Sequence, residues 1–129
     1  MFLLLSHDKT LSEVQHFFTS KYPYLKIEFY KKQDREQLAG VKRTHLSPSM
    51  TLKASGLEKN EVIDISKDMT VADLENIFSQ SGLNVQVSRR SGIVWLETTM
   101  TDQWSLEKQN EHGREISVPA GESKPGDKI

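Results

Sequence analysis

The stretch that decides the fold is FLLLSHDKT at residues 2–10, because it lies over VIDISKDMT at residues 62–70 without a gap. In each copy an apolar run is followed by a polar segment that ends in threonine, at Thr10 or Thr70. The correspondence continues into the next residues, where the apolar positions are Leu11, Val14, Phe17 and Phe18 in the first copy and Val71, Leu74, Ile77 and Phe78 in the second. The two stretches therefore predict a buried strand followed by a helix, made twice.

Both predicted helices begin with the signature of a capping box. The Thr10 hydroxyl can accept from the N–H of Glu13, whose carboxylate can accept from the N–H of Thr10, and Thr70 and Asp73 stand at the same positions. Apolar residues spaced three and four apart then form one stripe on each helix. Gly82 suits the end of the second helix.

A half-buried strand is predicted after each helix. Apolar residues alternate with polar ones there, at Leu25, Ile27 and Phe29 and again at Leu83, Val85 and Val87. Residues 2–30 and 62–88 thus read as two β-α-β units. Between them lies a connecting segment, residues 31–61, whose leucine and methionine residues predict partial packing and a short helix after Ser49 or Thr51.

The predicted fold class is α+β, with the two units in a ferredoxin-like sheet of strand order 2-3-1-4. Right-handed crossovers place the first strands of the units side by side and antiparallel at the centre. One face of this sheet is expected to lie in water and to carry Lys26, Glu28, Tyr30, Asp64, Asn84, Gln86 and Ser88.

The chain continues beyond the second unit into a C-terminal extension. Ser88 to Gly92 form a tight turn, and residues 93–98 complete a β-hairpin whose strand extends the sheet beside the fourth. A short helix follows, capped by Thr101 or Asp102 and reaching about His112, with Gly113 as its end. We predict a single domain over residues 1–118 and a disordered tail at 119–129.

Composition excludes several classes of protein. Seventeen basic and eighteen acidic residues leave a net charge of -1, which provides no strong field for collecting nucleic acid or an anionic membrane. The absence of cysteine excludes disulfides and thiolate metal sites. The apolar start is too short for a signal sequence, and no stretch approaches the ~20 apolar residues that span a bilayer. We expect a soluble, cytoplasmic protein.

No residue pattern indicates a cofactor, a metal or a known catalytic motif. The four histidines, at positions 7, 16, 45 and 112, lack the spacing of metal ligands and are expected at the surface. The unusual region is residues 89–112, with six candidate interaction residues: Arg89, Arg90, Trp95, Glu97, Asp102 and Trp104.

Two interpretations of this region are open. In the structural one, Trp95 packs the last strand, Trp104 pins the helix to it, and the arginines are solvated at the turn. In the functional one, Arg89 and Arg90 form a fork for a carboxylate or phosphate, and a tryptophan anchors an interface.

Three functions follow, in order of preference. The first is a non-enzymatic interaction module that binds a protein partner, or a second copy as a homodimer, through the last hairpin and the helix after it, where the fifth strand has an edge open to strand addition. The second is an anion-binding protein or enzyme that uses Arg89 and Arg90 with Glu97 or Asp102. Nucleic-acid binding is third, because the expected open face exposes only one aromatic residue, Tyr30.

A resemblance is carried by the stretch from Gly82 to Asn110, above all by QVSRRSGIVWLETTMTDQWSLEKQN at residues 86–110, with YLKIEF at residues 24–29 as its counterpart. These residues resemble a family of small bacterial proteins of unknown function. The similarity spans most of residues 2–112 and leaves out the tail. It implies a bacterial cytoplasmic setting, and it implies no activity, cofactor or functional residue.

Overall fold

The structure is a computed structural model, and it describes residues 1–31 and 44–117. These residues form an α+β fold with two antiparallel sheets and four α-helices, so the predicted class is confirmed. The elements are β1 (Phe2–Leu5), α1 (Leu11–Lys21), β2 (Leu25–Phe29), α2 (Leu52–Ser55), β3 (Glu61–Asp64), α3 (Val71–Gln80), β4 (Val85–Ser91), β5 (Val94–Glu97) and α4 (Leu106–Ser117), with a 3-10 turn at Thr99–Thr101. The predicted tail and residues 32–43 of the connecting segment lie outside the described residues.

In the part of the chain that the structure describes, no helix has both the length and the apolar character needed to cross a membrane.

Both predicted capping boxes are confirmed. The N–H of Glu13 donates to the Thr10 hydroxyl at 3.2 Å, and the Thr10 N–H donates to the Glu13 carboxylate at 3.3 Å. Thr70 and Asp73 make the same pair of bonds, at 3.0 and 3.2 Å. The helix predicted after Thr51 is also present as α2, with the Thr51 hydroxyl accepting from a first-turn N–H. Each cap supplies acceptors for N–H groups that have no partner inside the helix.

The strands form two sheets, with orders β1-β3 and β2-β4-β5. The antiparallel pairing of β1 with β3 and the position of the hairpin strand β5 beside β4 agree with the prediction. The ferredoxin-like order 2-3-1-4 is not confirmed, because β2 pairs with β4 instead of β3.

An approximate twofold axis explains this pairing. Leu3 pairs with Ile63, its counterpart in the second unit, and Glu28 pairs with Gln86, which is again its counterpart. The neighbouring pairs follow the same rule: where a residue pairs with the counterpart of a second residue, that second residue pairs with the counterpart of the first. Each strand therefore lies beside its equivalent, so two similar units join through two self-matching contacts, as subunits do in a twofold dimer.

The correspondence includes α2 and α4, which were not aligned from sequence. The N–H of Leu11 at the start of α1 donates to the carbonyl of Met50 at 2.9 Å. At the start of α3 the N–H of Val71 donates to the carbonyl of Trp104 at 3.2 Å. Met50 is followed by a capping residue and helix α2, and Trp104 is followed by a capping residue and helix α4. The turn and helix after β5 therefore have a counterpart in the first unit.

The core lies between the helices and the inner faces of the sheets. Most of the predicted apolar positions of both helices and of the strands after them are buried: Leu11, Val14, Phe18, Leu25, Ile27, Phe29, Val71, Leu74, Phe78, Leu83, Val85 and Val87. Phe17 and Ile77, which were predicted on the same stripes, are partly buried and pack against this core. The rings of Phe29 and Phe78 meet edge to face, with centroids 6.0 Å apart. Because these residues come from different units, one shared core holds the units together.

The expectation of an open polar face was wrong for four of its residues. Tyr30, Asn84, Gln86 and Ser88 are buried. Residues of α3 and of the turn after β5 approach this face and line a cavity with Tyr30, Asn84 and Gln86.

Helix α4 differs from its prediction. It runs to Ser117, and Gly113 lies inside it instead of ending it. A Cβ atom on Gly113 would lie 2.9 Å from the Tyr24 Cβ atom and 3.0 Å from the Arg89 Cγ atom. The glycine is therefore needed for the close approach of α4 to β2 and β4, and packing decides this position more than helix propensity does.

Candidate functional site

Strands β4 and β5 form a hairpin with an open outer edge. Gly92 has φ +65° and is the only residue of the two-residue turn with positive φ, as in a type II′ turn. The pair next to the turn, Ser91 and Val94, is hydrogen-bonded, and bonded and non-bonded pairs then alternate. The main-chain N–H and C=O groups of Trp95 and Glu97 therefore point away from β4. Within residues 1–31 and 44–117 no strand lies beside that edge.

Apolar side chains surround this edge. Val94 and Leu96, on one face of β5, are 50% and 46% exposed. Ile93 at the turn and Met100 in the 3-10 turn are exposed more fully, and Ile116 near the end of α4 is exposed as well. The hydroxyl of Ser117 accepts from the N–H of Gly92 at 3.2 Å, so the end of α4 is held against the hairpin turn. Exposed apolar side chains grouped in this way are typical of interaction surfaces.

Trp95 lies on the other face of β5 between two cations. The Lys26 Nζ atom is 4.9 Å from the centroid of its ring, and the Arg90 Cζ atom is 5.6 Å from it. Arg90 is held in place because its Nε donates to the carbonyl of Gly92 at 2.7 Å. Cation–π contacts of this kind orient both partners on the sheet surface.

Arg89 points to the core face, under α4. Its Nη1 donates to the Gln109 side-chain oxygen at 2.7 Å, and its Cζ atom is 5.6 Å from the Trp104 ring centroid. Its Nε is buried, and among the described residues it has no hydrogen-bond partner. Burial lowers the pKa of the Arg89 guanidinium, which nevertheless stays charged at neutral pH.

Gln109 joins Arg89 to the turn before α4. Its Nε2 donates to the carbonyl of Thr101 at 2.7 Å and to the Thr101 hydroxyl at 2.8 Å. Trp104 packs beside this cluster, with the Lys108 Nζ atom 4.4 Å from its ring centroid and the His112 ring 5.4 Å away. The cluster joins α4 to β4 through Arg89.

The structure separates residues that the functional interpretation grouped. Arg89 and Arg90 are neighbours on β4 and point to opposite faces, so their guanidinium groups do not form one fork. Arg89 is instead paired with Trp104, and Arg90 with Trp95. Of the two acids, Glu97 is exposed on β5, whereas Asp102 lines the cavity beside α3.

Three residues that shape the site were missed from sequence. Lys26, Gln109 and Gly113 all contact candidate residues, although none was a candidate. Gln109 and Gly113 follow Leu106 at helical spacing, and all three are buried. That periodicity is the signal that could have shown them on the inner stripe of α4. For Lys26 no local signal exists, because Trp95 is distant in sequence.

No metal site is apparent in the described residues, where no group of three or more histidine, aspartate or glutamate side chains is arranged to hold an ion. Of the histidines expected at the surface, His16 and His45 are exposed, and His7 and His112 are partly buried.

Comparison with protein-family models, with curated proteins and with solved structures finds no match for this chain. The resemblance to a family of small bacterial proteins therefore stays a prediction.

Proposed function

We propose that this protein is a self-association module, in which the open edge of β5 pairs with β5 of a second copy. The observation that carries the proposal is an unpaired strand edge flanked by exposed apolar side chains, Val94 and Leu96. Edge strands usually carry a lysine, a proline or a bulge that prevents strand addition. β5 reads Val-Trp-Leu-Glu, with neither lysine nor proline and with its one charge at the last residue.

The outward main-chain groups favour one antiparallel arrangement. If Trp95 lies opposite Trp95 of the second copy, the N–H and C=O groups that point away from β4 exchange two hydrogen bonds at this pair. Directly opposed residues share a face, so Val94 then lies opposite Leu96 of the other copy, and the reverse pair forms across the axis. Apolar cross-strand pairs contribute roughly 0.2–1 kcal/mol each, and no like charges oppose one another within the strand.

Two features support a structural role for the flanking residues. Lys26 and Arg90 hold the Trp95 ring on one face, and the end of α4 braces the turn on the other. A pre-ordered edge loses less entropy when a strand is added. The candidate acids and arginines serve this scaffold in the proposal, and no reaction is assigned to them.

Sedimentation equilibrium over a range of protein concentrations tests the proposal. We expect a monomer–dimer equilibrium for the natural sequence. Glu97→Pro removes an N–H group that points away from β4 and breaks no hydrogen bond between β4 and β5. Leu96→Lys places a charge in the cross-strand pair that Leu96 would form with Val94 of the second copy. Both variants should therefore be monomeric.

The matched control is Phe2→Lys. Phe2 is 72% exposed on the outer face of the other sheet, so this variant should dimerise like the natural sequence. Circular dichroism checks that each variant is folded. A natural protein that is monomeric at about 1 mM would have a dimerisation free energy weaker than about -4 kcal/mol, which would overturn the proposal.

A further inference from the structure

The four methionines of the chain differ in their exposure to solvent. Met1, Met50 and Met69 are partly buried and pack against the core. Met100 is 95% exposed. The sequence contains no cysteine, so methionine is the side chain that a mild oxidant attacks first. Met100 is therefore the position at which such an oxidant has the freest access.

The turn that carries Met100 is fixed to the sheet. Thr98 is buried, and its N–H and its hydroxyl both donate to the carbonyl of Val87, at 3.2 and 2.9 Å. The N–H of Thr101 donates to the carbonyl of Thr98 at 3.0 Å and closes the turn. An ordered turn thus presents a large apolar side chain to water, which is typical of a contact surface.

The proposed pairing of β5 with a second copy provides that contact. If Trp95 lies opposite Trp95 of the second copy, the antiparallel register places Glu97 opposite Ile93. Met100 follows Glu97 by three residues, so it lies within about 10 Å of the hairpin turn of the other copy.

Two apolar side chains wait at that turn. Ile93 is 90% exposed, and Ile116 is exposed at the end of α4. The bond from the Gly92 N–H to the Ser117 hydroxyl holds this end of α4 beside the turn. Because the pairing is twofold, the contact between Met100 and this turn would form twice in the dimer.

We propose that Met100 is an oxidation-sensitive contact of the β5 interface. Its thioether packs on the hairpin turn of the second copy, and its conversion to the sulfoxide by a peroxide separates the two copies. The inference rests on the proposed self-association and identifies how that association is regulated.

The reaction needs only the thioether and the peroxide. The sulfur lone pair attacks one peroxide oxygen, so that an S–O bond forms as the O–O bond breaks. The departing hydroxide takes the proton of the transferred oxygen and becomes water. Sulfur loses two electrons, and the peroxide gains them.

The sulfoxide is unfavourable in the interface because it is polar. Its oxygen is a hydrogen-bond acceptor, and the aliphatic side chains of Ile93 and Ile116 offer no donor. Burial of a polar group without a partner opposes association. Dimerisation in turn covers Met100 and should protect it from the oxidant, since each process acts on the same monomer.

Sedimentation equilibrium of the full chain before and after hydrogen peroxide tests the proposal. Peptide mass mapping identifies the methionines that have gained an oxygen atom, and catalase removes the remaining peroxide. We expect the sulfoxide at Met100 to raise the dissociation constant of the dimer roughly tenfold. Sulfoxide formation at Met100 should also be slower in a largely dimeric sample than in a largely monomeric one.

Three variants assign the effect to one side chain. Met100→Leu keeps an apolar side chain of similar volume, so it should dimerise like the natural sequence and stay dimeric after peroxide. Met100→Gln introduces a polar group and should weaken the dimer roughly tenfold without any oxidant. Met69→Leu is the matched control at a methionine that packs against the core, and it should leave the effect of peroxide unchanged. Because Met100 is almost fully exposed, neither change at this position should disturb the fold.

The outcomes separate this inference from the pairing of β5. A natural protein that is monomeric before treatment would overturn the proposed function and this inference with it. A dimer whose dissociation constant is the same with the sulfoxide at Met100 would overturn this inference alone. Equal dissociation of Met100→Leu and the natural protein after peroxide would do the same.

Discussion

Replacing Gly113 with alanine should destabilise the protein, although alanine is the better helix former. In an exposed helix the change would stabilise by about 1 kcal/mol. Here the new Cβ atom would lie 2.9 Å from the Tyr24 Cβ atom, 3.0 Å from the Arg89 Cγ atom and 3.2 Å from the Tyr24 carbonyl oxygen. Two of these atoms belong to the backbone or lie next to it and cannot swing away, so α4 must move outward.

The movement affects the contacts that hold α4. The N–H of Tyr24 donates to the Asn110 side-chain oxygen at 2.8 Å, and Arg89 donates to Gln109 at 2.7 Å. Overpacking costs roughly 1–3 kcal/mol, and a strained hydrogen bond adds on the order of 1 kcal/mol. After subtraction of the helix-propensity gain, we expect a net loss of about 2 kcal/mol in the free energy of unfolding.

Urea unfolding followed by circular dichroism measures this change. Glu115→Ala, at an exposed position on the same helix, is the control and should stay within about 0.5 kcal/mol of the natural protein. If Gly113→Ala were as stable as the natural protein, or more stable, α4 would not lie at the distance described.

Further predictions use the same assay. Thr70→Ala removes the acceptor for the Asp73 N–H and should cost about 1 kcal/mol; unchanged stability would contradict the role of the cap. Burial, with nearby carboxylates, raises the pKa of the Tyr22 phenol, so the phenol ionises first in the unfolded chain. The free energy of unfolding should therefore fall as pH rises above about 10, and it should fall less steeply in Tyr22→Phe. Parallel alkaline profiles of the two proteins would refute this. Gln109→Leu removes the acceptor that lies 2.7 Å from Arg89 and leaves only the Thr101 hydroxyl at 3.5 Å, so it should cost about 2 kcal/mol. Arg89→Met should restore part of this loss in the double variant; simply additive losses would argue against the pair.

The features that were predicted correctly depend on residues close together in sequence. A capping box needs only Thr10 and Glu13, or Thr70 and Asp73, three positions apart. The apolar stripes and the phase of β2 follow from spacings of three, four and two residues, and the burial of Phe18 and Ile27 agrees with them. Such patterns are readable because the backbone imposes its own period.

The candidate site was predicted less completely. Its location in the last hairpin and α4 followed from composition, whereas its contacts did not. Alternation along β4 implies that Arg89 and Arg90 face opposite ways, but which face lies under α4 depends on packing. The contact of Lys26 with Trp95 joins residues that are distant in sequence.

By itself, the sequence determined that the chain makes one strand–helix–strand unit twice, through FLLLSHDKT at residues 2–10 and VIDISKDMT at residues 62–70. The tertiary structure alone decided how the two units meet. Local patterns set the face that each strand buries and leave open which strand lies beside it, because several pairings bury the same apolar face. Pairing each strand with its counterpart creates the twofold axis and leaves the edge of β5 open, and the proposed function depends on this open edge.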